Sequence, residues 1–258
     1  MKSTWTIARK EIISFFVSPI AYFVITGFAL LAGYFFFNLL YGFNIIVARY
    51  SSMGMMAGMG PTPNLNQYVV EGYYQTLLVT LVFLIPIITM RVLAEERQRG
   101  TFEMLVTSPL SAIEIALGKF IGVASVIFAM IFVSFLFPLA LCFTAQIEIA
   151  PVISGFVGML LCAFAFASIG TAISAYTENQ VVAGVTSMVL LLILYLIHSP
   201  AELIEGWGKS ALEYMSPVLQ FSNMAQGVVT LSATIYFLSL ISLGIFFCVR
   251  AIEAERWR

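Results

Sequence analysis

Charged residues in this chain gather into short clusters separated by long uncharged apolar runs. The runs lie between Glu11 and Arg49, Glu71 and Arg91, Lys119 and Glu148, Glu148 and Glu178, Glu178 and Glu202, and Glu213 and Arg250. Each is about 19 residues or more, and a helix needs roughly 20 apolar residues to cross a hydrocarbon core of about 30 Å. The pattern predicts six membrane-spanning helices, at about residues 20–41, 73–90, 112–143, 151–174, 181–197 and 231–249. Lipid enforces the helical class, because an unpaired backbone amide in hydrocarbon costs several kcal/mol and a helix pairs its amides internally. Outer-membrane barrels read instead as alternating segments of about ten residues, and nothing here alternates that way.

The segments between the runs carry the local detail. Residues 4–16 read as an interfacial helix, with Trp5, Ala8, Ile12, Phe15 and Phe16 on one face. Thr6, Lys10, Glu11 and Ser14 point away, Arg9 sits at the boundary, and Ile7 interrupts the stripe. A plain extension of the first span is the alternative, and Pro19 favours a bend between the two. An outer loop of 42–67, rich in Gly, Met, Ser and Pro, follows the first span. Pro86 predicts a kink in the second. Ser111 and Glu114 form a capping-box pattern ahead of the third. The outer segment 198–230 is punctuated by Pro200, Pro217 and Gly227, and carries Glu202, Glu205, Glu213 and an apolar patch around Val218 to Phe221. It reads as short helices dipping partway into the outer leaflet.

Composition leaves no room for a soluble domain: 61% of the 258 residues are hydrophobic and the mean hydropathy is +1.00. The expectation is one all-α transmembrane domain. Cytoplasmic termini put Lys2, Arg9, Lys10, Arg91, Arg97, Arg99, Lys119, Arg250, Arg256 and Arg258 inside, leaving only Arg49 and Lys209 outside, as the positive-inside rule requires. The first apolar run far exceeds the 7–15 residues of a signal-peptide core, so a signal-anchor span is expected. There is no Asp and a single His, His198. That scarcity disfavours metalloenzymes, aspartyl proteases and Asp-dependent lipid transferases. A nucleic-acid role would need a basic face, and none is visible. Cys142, Cys162 and Cys248 lie far apart in apolar runs and read as small buried hydrophobes.

The densest polar stretch is the inner loop 91–111. Gly100 is expected to stop the extension of the second span, and Thr101 to N-cap a short helix with Glu103 in its first turn. Phe102, Leu105 and Val106 would give that helix an apolar side, and Pro109 would end it. Such an element suits docking to a cytoplasmic partner; a solvated loop whose charges merely enforce topology fits equally well. The chain lacks the phosphate-cradling G-x-x-x-x-G-K-[ST] loop, and Gly118-Lys119 has neither the upstream glycine nor the following hydroxyl.

Residues 90–122, MRVLAEERQRGTFEMLVTSPLSAIEIALGKFIG, resemble the inner-loop signature of type-two ABC exporter permeases. The opening RKEIISFFVSPIAYFVI (9–25), the TENQ loop (177–180) and the outer stretch near 212–230 fit as well. The chain is most similar to the gliding-motility-associated ABC permease subgroup, relatives of copper-oxidase maturation permeases. That resemblance implies a six-span permease half that pairs with a second permease subunit and binds a separate cytosolic ATPase, which holds the ATP and Mg. It implies an elbow helix carrying Trp5, Arg9, Lys10 and Glu11. It also implies a coupling element of Glu95, Glu96, Arg97, Arg99, Gly100, Thr101, Phe102, Glu103 and Leu105. Tyr176, Thr177, Glu178, Asn179 and Gln180 would form the second ATPase contact, spans two and five would line the route, and spans one and five would lie near the dimer seam. The chain itself is expected to be non-catalytic, with no cofactor of its own, in a bacterial inner membrane.

A few features stand outside that scheme. Met53, Met55, Met56 and Met59 are soft donors of the kind Cu(I) takes, but without nearby His or Cys a lipid-touching loop is the preferred reading and no metal is expected. Gly118 and Gly122 form a GxxxG spacing, read as intramolecular packing. His198 reads as interfacial rather than as a proton relay. A pump for small ions would keep ionisable groups at mid-membrane. These spans offer chiefly Ser and Thr, which suits a hydrophobic, lipid-linked or amphipathic cargo. It equally suits a scaffold that transmits force for motility or surface assembly and moves no cargo.

Overall fold

The computed structural model describes residues 2–52, 63–107, 109–145, 147–199 and 207–256. Among the described residues the regular structure is helical, with no strand. In chain order the helices are α1 (Lys2–Val17), α2 (Pro19–Ser52), α3 (Gly72–Thr89), α4 (Ala94–Gln98), α5 (Phe102–Val106) and α6 (Ala112–Thr144). They continue with α7 (Ile149–Tyr176), α8 (Gln180–Leu196), α9 (Trp207–Met215), α10 (Pro217–Ala225) and α11 (Leu231–Arg256). A π-helical turn, Asn66–Glu71, leads into α3. The methionines at 53, 55, 56 and 59, and the carboxylates Glu202 and Glu205, lie outside the described residues.

Among the described residues, five helical stretches are long and apolar enough to cross a membrane: Pro19–Ser52, Asn66–Gln98, Ala112–Thr144, Ile149–Tyr176 and Leu231–Arg256. The sixth expected span falls on α8, which is apolar but has 17 residues. At 1.5 Å per residue it reaches about 26 Å, short of a hydrocarbon core of about 30 Å. Its ends explain the length. Asn179 Oδ1 accepts from the Val181 amide at 2.9 Å and caps the start. Ser199 precedes Pro200, and proline disfavours a helical conformation in the residue before it. His198 sits in that terminal turn, its Nδ1 2.7 Å from the Tyr195 carbonyl.

The first span is longer than its expected 20–41. Gly42 does not end α2; it makes room for Tyr68, whose hydroxyl would lie 2.9 Å from a Cβ there. Phe43 lies tilted against the same ring, 6.2 Å between centres, and the helix runs on through Ile45, Ile46 and Val47 to Ser52.

α7 is the axis of the bundle, packed against α3, α6, α8, α10 and α11. Its buried surface is built from small residues: Ser154, Gly155, Gly158, Ala163, Ala167, Ser168, Gly170 and Ser174 among them. Lipid tails are as apolar as leucine, so helices in a bilayer associate by close contact and small residues permit it. A side chain at Gly155 would overlap Tyr74, one at Gly158 would lie 2.8 Å from Met224 Cβ, and one at Gly170 would overlap Thr89. On α11, a Cβ at Gly244 would come 2.6 Å from the Ser168 backbone.

Buried hydroxyls complete the backbone where prolines interrupt it. Pro138 has no amide to give, which leaves the Ser134 carbonyl of α6 without its helical donor. Tyr73 fills the gap, its hydroxyl donating to that carbonyl at 2.8 Å. Tyr74 donates to the Val152 carbonyl of α7 at 2.8 Å, a carbonyl that no proline leaves bare, and so links α3 to α7.

In the 198–230 segment, α9 and α10 meet at Ser216, whose hydroxyl accepts from the Leu219 amide at 3.4 Å, and Pro217 occupies the first turn. Phe221 and Met224 of α10 are wholly buried. Gly227, at φ +104°, turns the chain toward α11 beside Pro151.

Replacing Gly170 with Ala drives a Cβ into Thr89, and overpacking of this kind costs about 1–3 kcal/mol. The purified Gly170→Ala protein should unfold several degrees lower in a thermal-shift assay, with Thr89→Ala in the same chain restoring part of the loss. An unchanged transition would mean α3 and α7 are not in close contact there.

Candidate functional site

Among the described residues, the charged groups at one end of the bundle come from α1, the segment after α3, the start of α6, the loop after α7 and the end of α11. They are drawn together by the way the backbone leaves α3. The helix stops at Thr89, and the chain turns through Met90 to Leu93 before α4 begins. One side chain closes the break. Ser174 of α7, itself buried, donates to the Met90 carbonyl at 3.1 Å. Its hydroxyl also accepts from the amides of Leu93 at 3.2 Å and Ala94 at 3.1 Å. The groups left bare at the end of one helix and the start of the next thus share a single partner.

The second span therefore ends before Gly100, and what Gly100 stops is α4. With φ +69° it occupies a left-handed position that favours glycine. The Thr101 amide donates to the Glu96 carbonyl at 3.0 Å and the Gly100 amide to the Arg97 carbonyl at 3.1 Å, the paired bonds of a Schellman C-terminus. Thr101 precedes α5 but does not cap it. Its hydroxyl turns back to the Glu96 carbonyl at 3.3 Å, because its own backbone is already helical at φ −82°, ψ −10°. Phe102 buries its ring, Leu105 packs beside the core, and Glu103 and Met104 face outward.

The centre of the junction is Lys119, only 2% exposed. Its Nζ lies 2.8 Å from Glu11 Oε1 and 2.6 Å from Glu96 Oε1. One ammonium thus joins α1, α4 and α6. The preceding residue explains how α1 comes so near: Cβ atoms at Gly118 and Gly122 would lie 2.6 Å from Ile7 and 2.5 Å from Glu11. The GxxxG pair is the seat of the N-terminal helix, an intramolecular contact.

This revises the expected orientation of α1. Ile7, Ala8 and Glu11 form its buried face, while Trp5, Arg9 and Lys10 are exposed. Ile12 and Phe16 are half-buried on the side of Trp5. The apolar stripe read from the sequence is real but lies about a quarter-turn from the face that packs on α6. Glu11, expected to point away, is held inward by Lys119.

A second set of contacts ties α4 to α11. Arg97 Nη2 pairs with Glu255 Oε2 at 3.3 Å, and its guanidinium lies 4.6 Å from the centre of the Phe102 ring. Arg256 donates to the Leu110 carbonyl. Glu95 is shared by Arg91 at 3.3 Å and Arg99 at 2.6 Å. Ser111 and Glu114 make the full capping box at the start of α6, both bonds 3.2 Å.

The loop after α7 lies at the same end, since α4 contacts both α7 and α8. Tyr176, Glu178 and Asn179 are exposed. Thr177 donates to the Ile173 carbonyl at 3.1 Å, and Gln180 opens α8. Ser174, Lys119, Glu255 and Arg256 were missed as parts of this site. Ser174 gives no signal, being one of many small residues in an apolar run. Lys119 did give one, a lysine just inside a span, where a charge needs a partner.

A family model described as ABC-2 family transporter protein matches residues 56–250, well over half of the chain. No curated protein matches it.

Removing Lys119 leaves two carboxylates facing one another without a cation, and breaking a buried pair costs about 3–5 kcal/mol. Lys119→Met should therefore lower the thermal midpoint far more than Lys119→Met combined with Glu11→Gln and Glu96→Gln. Equal midpoints for the single and triple variants would show that the ions do not interact.

Proposed function

Because the chain belongs to the ABC-2 transporter family, we propose that it is the permease subunit of an ATP-driven exporter in a bacterial inner membrane. It crosses the bilayer six times, α8 included, with both termini in the cytoplasm. Two such permease subunits, identical or related, sit on a pair of cytosolic ATPase subunits that bind ATP and Mg. The gathering of Lys10, Arg91, Arg97, Arg99, Lys119, Arg250 and Arg256 toward the junction end supports that topology.

In this reading α1 is the elbow helix and α4–α5 the coupling element, with residues 176–180 as a second contact. The observation that carries the reading is the bracing of α4. Ser174 ties its start to α7, Glu96 ties it to α6 and α1, and Arg97 ties it to α11. Meanwhile Met104 of α5 is 77% exposed, with Glu103 and Arg99 also turned outward. A displacement applied at α5 would reach the spans as one rigid unit, the usual form of such a transition.

The faces of α2 and α8 support the remaining assignments. α8 buries only Ala183, Ser187 and Leu191, one narrow stripe, and exposes Val181, Val182, Val185, Val189 and Ile193. α2 exposes Phe23, Leu30, Tyr34, Phe37 and Tyr41. A second permease subunit against these helices would leave apolar walls between them, suited to a hydrophobic, lipid-linked or amphipathic substrate.

The structure also changes which variants test the coupling. Reversing Glu96 would break the Lys119 triad, so the exposed pair on α5 is the better target. Glu103→Arg with Met104→Glu should cut ATPase co-purification and permease-stimulated hydrolysis by about tenfold or more, the loss of one interface anchor. The thermal midpoint of the permease should stay unchanged. Undiminished co-purification and hydrolysis would overturn the assignment of α5. A coupled complex whose hydrolysis responds to no apolar substrate would instead fit a force-transmitting scaffold, as in gliding motility.

A further inference from the structure

A polar chamber of about 230 Å³ opens beside the junction, between α1, α4 and the start of α6. Its lining holds four cations, Lys10, Arg91, Arg99 and Lys119, against three carboxylates, Glu11, Glu95 and Glu96. Those carboxylates are already engaged. Glu11 and Glu96 turn to Lys119, and Glu95 is shared by Arg91 and Arg99. Lys10 makes no ion pair among the described residues, and Ser14 adds a hydroxyl one turn further along α1.

The chamber is not closed off from the apolar surface. Phe15 and Arg91 line it and also line a crevice between α2 and α3, whose walls include Ala21, Val24, Ile87 and Ile88. Ile20 and Ile87 are exposed at that crevice. A chamber with an excess of positive charge thus shares Phe15 and Arg91 with a shallow apolar groove, about 20 Å³, between two long apolar helices. Neither a soluble anion nor an acidic loop of a partner protein has a use for the groove. A lipid uses both parts.

We propose that this site binds an anionic phospholipid, the phosphate taken by Lys10 and Arg91 and one acyl chain lying along the groove between α2 and α3. Guanidinium and ammonium groups form their strongest hydrogen bonds with such an oxyanion. Basic pockets between spanning helices are suited to anionic headgroups. The bound lipid would hold α1 at its angle to the first span. The site requires only that α2 and α3 cross the bilayer, so it is independent of whether α5 grips an ATPase.

The test uses the full-length permease in nonionic detergent, with native mass spectrometry counting retained phosphatidylglycerol, phosphatidylethanolamine and phosphatidylcholine. Phosphatidylglycerol should be retained in preference. Lys10→Gln, which breaks no ion pair among the described residues, should weaken that retention by about fivefold, the contribution of one surface cation, and leave phosphatidylcholine unchanged. In Ile20→Trp, phosphatidylglycerol brominated on its acyl chains should quench the added fluorescence, placing the chain in the groove. Equal retention of zwitterionic lipids, no effect of Lys10→Gln, or no quenching would overturn the proposal. So would full displacement by inorganic phosphate, which would mark the chamber as a simple anion site, or by the added ATPase, which would mark it as a protein contact. ATPase co-purification of the Lys10→Gln variant, expected to match the unaltered protein, separates failure of this site from failure of the coupling assignment.

Discussion

Close approach along α7 is the constraint on which the bundle depends. In water, apolar helix faces are driven together; in a bilayer they gain little by exchanging lipid for protein, and fit decides the outcome. The glycines and serines of α7 let Tyr74, Thr89, Met224 and the Ser168–Gly244 contact come within van der Waals reach of its backbone. Close approach has a second consequence. It brings hydroxyls within reach of backbone groups that prolines and helix ends leave unpaired, groups that hydrocarbon would otherwise penalise by several kcal/mol each. Ser174 at the α3–α4 break is a product of that proximity, and Tyr73 does the same for the Ser134 carbonyl across the α3–α6 contact.

The break held by Ser174 decides where the charged segment after α3 goes. Had α3 continued straight, its charged extension would have projected away from the membrane as an unsupported helix. Instead the chain folds back over the end of α7, and α4 finds partners on α6 and α11. Local chemistry then sets the next corner. Gly100, in its left-handed conformation, ends α4 and starts α5 within two residues, so the exposed face of α5 is fixed relative to α4. Stiffness at this corner is what a lever would need, because slack there would absorb a push before it reached the spans.

Much of this was legible in the residues, for identifiable reasons. The positions of the long apolar helices follow from runs of uncharged residues, a signal carried by composition alone. The capping box at Ser111 and Glu114 is local chemistry, complete within four residues. The errors are of another kind. Glu11 was expected to face water because a carboxylate on a surface helix ordinarily does, and Ile7 looked like a defect in the apolar stripe. Both expectations ignored α6, whose Gly118 and Gly122 remove the bulk that would have kept α1 away. The continuation of α2 past Gly42 has the same origin, since Tyr68 supplies the contact that makes the glycine useful. Ser174 was invisible because its role depends on where a distant helix happens to break.

The position of Lys119 shows why charge belongs in a place where apolar packing looks simpler. Replacing buried ions by well-packed apolar groups is often neutral or stabilising in soluble proteins. At the edge of a bilayer the comparison shifts. An apolar residue there would hold α1 no more firmly than lipid does, and the helix would be free to slide or lift. An ammonium buried between two carboxylates admits one register, the one in which Glu11 of α1 and Glu96 of α4 both reach it. The small residue beside it enforces the same register from the steric side, since Ile7 fits only over Gly118. Two adjacent residues, Gly118 and Lys119, thus look like a fragment of a phosphate-binding loop in the sequence and act as a mechanical clamp in the fold. Their chemistry is spent on fixing the angle between α1, α4 and α6, because the ammonium and the steric fit over Gly118 admit the same single register.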